Sequence, residues 1–218
     1  TRTLHVAGPS LISGPLTLSG GTLQVDTHLA VKGPITWNYG TLLGSGTMVA
    51  ADGLSIGGTG THYLDALTLQ NEGTAIWSNG SVTGKNGAVL QNSADGVFEI
   101  VDGHTLTQSV GDRSTFINEG LLTKSGAETT YSQFFFHNTG IVSVESGTLR
   151  FVYGYTQDLD PETDTPPQIR LLGGSIMSHK YRTTEILGGS LVGAGLMKGA
   201  IVQHGTTLPG SPIGQLTI

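Results

Sequence analysis

Apolar and polar residues alternate in twos along most of this chain. Leu16-Thr17-Leu18, Leu23-Gln24-Val25, Leu67-Thr68-Leu69, Val142-Ser143-Val144 and Leu149-Arg150-Phe151 each place apolar side chains on one side of an extended segment. Between such runs stand Gly-Gly, Ser-Gly and Asn-x-Gly, residues that accept the backbone angles of a tight corner. No segment keeps apolar residues at helical spacing without Gly or Pro intervening. The pattern predicts many short strands and no helix.

A phrase of apolar-x-Asn followed by Gly returns along the chain. It reads Leu69-Gln70-Asn71-Glu72-Gly73, then Leu90-Gln91-Asn92 with Gly96, then Phe116-Ile117-Asn118-Glu119-Gly120, then Phe136-His137-Asn138-Thr139-Gly140, with the asparagines 21, 26 and 20 residues apart. A unit of that length cannot bury an apolar face alone and must stack on its neighbours, which is the mark of a solenoid. The expectation is a single all-β domain over residues 1–218, a right-handed parallel β-helix of about nine or ten coils. Each Asn lies two residues after the apolar position and so points the same way, into the core. Stacked inward amides can bond one another, so Asn71, Asn92, Asn118 and Asn138 are read as an asparagine ladder; the alternative is that each serves only its own exposed turn. A second repeat aligns Trp37 to Gly46 with Trp77 to Gly87, 40 residues or about two coils later, and a third copy runs from Leu187 to Gly195. A Phe stack from Phe116, Phe134, Phe136 and Phe151 is expected inside.

Composition narrows the function. Only 12% of the residues are charged, 34 of 218 are Gly, and there is no Cys. The 37% hydrophobic content is too high and too regular for a disordered linker. Net charge is −6 and the 10 Lys+Arg are scattered, so no basic stripe exists for nucleic acid. No apolar run approaches the roughly 18 residues of a membrane-spanning helix. Because it starts at Thr1 and shows no signal peptide, the chain is expected to be an excised or processed portion.

Residues 116–151, from Phe-Ile-Asn-Glu-Gly to Ser-Gly-Thr-Leu-Arg-Phe, are similar to repeats of large secreted bacterial surface proteins. The ending Leu208-Pro209-Gly210-Ser211-Pro212-Ile213-Gly214-Gln215-Leu216-Thr217-Ile218 is similar to a phrase near the close of such solenoids. The chain thus resembles autotransporter and filamentous-haemagglutinin passengers. That resemblance implies a right-handed parallel β-helix, an extracellular or cell-surface location, and a role in adhesion, matrix building or scaffolding. It supplies no catalytic residues and no cofactor.

The remaining chemistry is sparse. The seven His never fall at zinc-site spacing and are assigned to turns and exposed strand faces. Asp95, Glu99 and Asp102, followed by Asp112-Arg113, are the nearest approach to a glycosidase carboxylate set, although Asp95-Gly96 and Asp102-Gly103 also read as turns. Trp37, Trp77, Tyr39 and Tyr63 are read as core or corner packing in preference to a sugar-stacking strip. Residues 155–168 carry Asp158, Asp160, Glu162, Asp164 and three prolines; they are expected as an extruded solvated loop, with Ca²⁺ binding the weaker reading. Asn79-Gly80-Ser81 has the form of a glycosylation triplet. Thr3-Leu4-His5-Val6 and Leu216-Thr217-Ile218 both read as strands without a cap, which makes Leu4, Val6, Leu216 and Ile218 candidate assembly ends. The function expected is a structural surface or matrix element, associating with itself head-to-tail or with other surface components, and not an enzyme. The alternatives are a carbohydrate-active β-helix and a non-catalytic glycan-binding module.

Overall fold

The computed structural model of the chain describes residues 2–160, 165–209 and 216–217. It contains strands and corners only, with no helix among the described residues. All strand pairings are parallel, and they stack as a β-solenoid of about nine turns. Each turn passes through three faces. One turn, for instance, runs through Thr74–Trp77 on the first face, Ser81–Lys85 on the second and Val89–Asn92 on the third. The next runs through Val97–Val101, Thr105–Gln108 and Thr115–Asn118 directly above them. Strands such as Leu16–Val25 and Gln168–Ser178 are long enough to serve two faces, bending between them.

The period-two alternation decides which side chains face inward. On the third face Leu29, Met48, Leu69, Leu90, Phe116, Phe136 and Tyr155 occupy one register position in successive turns, all buried. Ile35, Leu54, Ala75, Phe98, Leu122 and Val142 do the same on the first face. Where the third-face column turns aromatic, the rings stack. Phe116 and Phe136 lie 4.8 Å apart at 7°, and Phe136 continues to Tyr155 at 5.5 Å and to Phe151 at 4.9 Å. Phe134, expected in the same stack, is fully buried but makes no ring contact with it among the described residues; its ring lies beside Gly84 instead.

The strands keep their register while the corners absorb most of the difference in turn length. Register partners on the third face are 17 residues apart from Thr184 to Ile201, and 29 apart from Tyr155 to Thr184. Close stacking leaves some corners no room for a side chain. Gly44, at φ 133°, would place a Cβ 2.1 Å from the Val25 carbonyl oxygen one turn below. Glycine is therefore required there on both conformational and steric grounds.

Three sequence expectations change here. The loop is shorter than 155–168: Tyr155–Gln157 forms a strand of the third face and Gln168 already begins the next. Gln and Tyr had disguised that rung by replacing Asn and Phe. Residues 161–164, with Glu162 and Asp164 of the considered cation loop, lie outside the described residues. His62 is fully buried, not on a turn or exposed face; its ring nitrogens sit 2.8–3.1 Å from the carbonyls of Trp37, Gly57 and Ser81, and its edge meets Trp37 at 5.0 Å. Finally, Trp37 and Trp77 do occupy one register position two turns apart with Ile56 between, both buried. The third copy is out of step, however: Ser190-Leu191-Val192 lies on the first face, whereas Thr41-Leu42-Leu43 lies on the second. A Gly-x-apolar-x-Gly run thus fits more than one face, so it recurs without marking whole turns.

Candidate functional site

The best-defined polar feature is internal. Asn71, Asn92, Asn118 and Asn138 hold one inward position at the end of the third face and are 0% exposed. Each Nδ2 donates to the Oδ1 of the next turn, at 2.8 Å from Asn71 to Asn92, 2.9 Å from Asn92 to Asn118 and 2.7 Å from Asn118 to Asn138. Each also donates to the carbonyl of the glycine that closes its own corner: Gly73, Gly96, Gly120 and Gly140. The row has a fifth member that the Asn phrase does not reveal. Asn138 donates to Gln157 Oε1 at 3.1 Å, and Gln157 Nε2 donates to the Gly188 carbonyl at 2.9 Å. The buried Tyr155 hydroxyl donates to the same Gln157 oxygen, and burial pushes that phenol well above its ordinary range. At the other end the register position below Asn71 is Ala50, and Asn71 Oδ1 has no partner among the described residues. All amides in this row donate in one direction, so it can bear structure but carries no reactive group.

The carboxylates weighed as a hydrolytic set are not brought together. Asp95 sits at the corner before the first face, Glu99 on the outside of that face, Asp102 at the following corner and Asp112 at the corner after the second face. Asp102 adopts φ 70°, accepts the Glu128 backbone N–H at 3.2 Å and has its carbonyl bonded by Thr130, the work of a corner residue. Among the described residues no group of three or more His, Cys, Asp or Glu could hold a metal ion.

One buried cation escaped the sequence reading. Lys124 occupies the inward column between Ile100 and Val144 and is 0% exposed, its ammonium donating to the carbonyls of Ser125 and Gly126. Burial lowers its pKa, opposed by the charges of Asp102 and Glu128. Burial likewise lowers that of His104, which stacks on Trp77 at 4.9 Å. For a depressed lysine the unfolded chain binds the proton more readily, so this site destabilises the fold at neutral pH. Stability from this group should rise as pH climbs through its folded pKa towards 10.5. Lys124→Met should therefore stabilise the protein by about 1 kcal/mol at neutral pH and abolish that rise, as denaturant unfolding between pH 7 and 10 will report.

The candidate assembly ends divide. Thr3–Val6 and Ser10–Ile12 each have a strand partner on one side only among the described residues. Leu4 is 61% exposed, and Val6 packs partly against the core. Near this edge His5 pairs with Asp26 at 2.6 Å, and the Gln24 amide and His5 together hold the Asp26 carboxyl below its usual range. Leu216–Thr217 is a strand paired to Gly195–Leu196; Ile218 lies outside the described residues.

These features define a parallel β-solenoid repeat protein. Comparison with protein-family models, with curated proteins and with solved structures finds no match in any of the three.

Proposed function

We propose that this chain is a structural β-solenoid of an extracellular or cell-surface protein, acting as a stalk, adhesin segment or filament subunit in the manner of bacterial autotransporter and haemagglutinin-type passengers. The observation carrying this reading is the unbroken interior. Inward columns continue in register through about nine turns, and the amide row through five of them, which makes a stiff rod about 45 Å long at about 4.8 Å per turn. Each turn touches only its neighbours, so length is set by turn number. The open edge at Thr3–Val6 and Ser10–Ile12, with Leu4 and Leu11 exposed beside it, invites a further turn from a second copy, giving head-to-tail growth.

Electron micrographs of the purified chain, read with sedimentation over a range of concentrations, test this. Rods about 45 Å long, adding end to end as concentration rises, are expected. A monomer at every concentration removes the filament role. Release of reducing or unsaturated sugars from a polysaccharide panel overturns the structural reading in favour of an enzyme, which the scattered carboxylates do not favour.

A further inference from the structure

Outside the core, aromatic and polar side chains gather at the corner between the second and third faces. Successive turns bring Phe135, Tyr153 and Tyr181 to a cleft of about 430 Å³, closed below by the buried Phe136 and Tyr155. Phe135 is 48% exposed and Tyr181 76%. Solvent-facing rings of that size need an explanation, because aromatic surface is usually withdrawn from water.

The cleft also gathers cations in a chain whose net charge is −6 with only 10 Lys+Arg. Arg182 lines it, 5.9 Å from the Tyr153 ring. Arg113 lies flat over Tyr153 at 3.5 Å and reaches Phe135 at 5.0 Å, while Lys180 stands 4.6 Å from Tyr181. Stacking occupies the face of a guanidinium and leaves its in-plane N–H groups available. Among the described residues no carboxylate lies within ion-pair distance of these three cations, and no acceptor takes a side-chain hydrogen bond from either arginine. The outer side of the third face adds Thr156 and Glu185, able to bond hydroxyl groups.

We infer that this cleft binds an acidic sugar unit of a glycan chain. A ring with one apolar face lies on the exposed aromatics, its hydroxyls meet Thr156 and Glu185, and its carboxylate or sulfate meets Arg182 with Arg113 behind it. A polyphosphate is a poorer fit, since three cations in an acidic protein make no extended basic track. The site is independent of whether the rod self-associates.

Calorimetric titration of the whole chain with galacturonic acid oligomers tests the inference, with the methyl-esterified oligomer, a sulfated oligosaccharide and a mononucleotide as parallel arms. The acidic oligomers should bind and the ester should not; the carboxylated and sulfated arms identify the acid preferred. Arg182→Ala should weaken binding about tenfold and Tyr181→Ala at least roughly fivefold. Both residues are exposed, so thermal unfolding should be unchanged. Tyr39→Ala, at an exposed aromatic far from the cleft in turn order, should leave binding intact. No binding to either acidic sugar at about 1 mM, equal binding of the ester, preference for the mononucleotide, or indifference to both cleft substitutions would each overturn it.

Discussion

Phe136→Ala should lower the unfolding free energy by about 3–5 kcal/mol, the range for emptying a well-packed aromatic site. Phe136 is the ring that joins the stack: Phe116 lies 4.8 Å to one side, and Tyr155 and Phe151 lie 5.5 and 4.9 Å away in the following turn. Its removal leaves a void between rigid neighbours that have strands directly above and below them and cannot close in. It also removes three ring contacts, each adding about 0.5–1.5 kcal/mol beyond simple burial. The adjacent Phe135 points outward and is 48% exposed, so Phe135→Ala should cost less than about 1 kcal/mol. Chemical denaturation of the pair decides the matter; similar losses at both positions would contradict the inward and outward assignment.

Asn118→Ala should cost about 3 kcal/mol or more, although it removes only a small polar group. Asn118 accepts from Asn92 and donates to Asn138 Oδ1, and its Nδ2 also faces the Gly120 and Ile141 carbonyls. Truncation strands groups on both sides in a site without water access, and each unpaired buried group costs about 1–3 kcal/mol. The same change at Asn71 should be milder. Asn71 Oδ1 already lacks a partner, so only its donated bonds are lost. Equal losses at Asn71 and Asn118 in urea unfolding would show that the amides act singly and not as a row.

These two residues also show what the sequence could reveal. Phe136 and Asn118 were legible because the strand period is two: once Leu69, Leu90, Phe116 and Phe136 are taken as inward, each Asn two places later must be inward as well. The parallel stacking and the number of turns followed from the spacing of the same phrase. Gln157 was hidden because the row continues through a longer amide in a stretch dominated by acids and prolines. Lys124 was hidden for a different reason. Its alternation with Leu122 marked it as inward, but a cation in an aliphatic column contradicts the usual rule, and only the nearby carbonyls of Ser125 and Gly126 make it tolerable. The aromatic cleft draws on Arg113, Phe135, Tyr153 and Arg182 from separate turns, a meeting that corner length decides and that no local motif encodes.

The unequal corners carry a consequence for descent. A chain whose rungs are fixed by a few inward positions can lengthen or shorten any bend, and exchange most of what it shows to solvent, without disturbing a single strand pairing. Lineages built this way drift apart quickly in text while keeping the same interior. Kinship to this molecule is therefore best sought in the order of its hidden side chains, turn by turn, where Trp37, Asn118 and Phe116 each leave a mark that neutral change erases last.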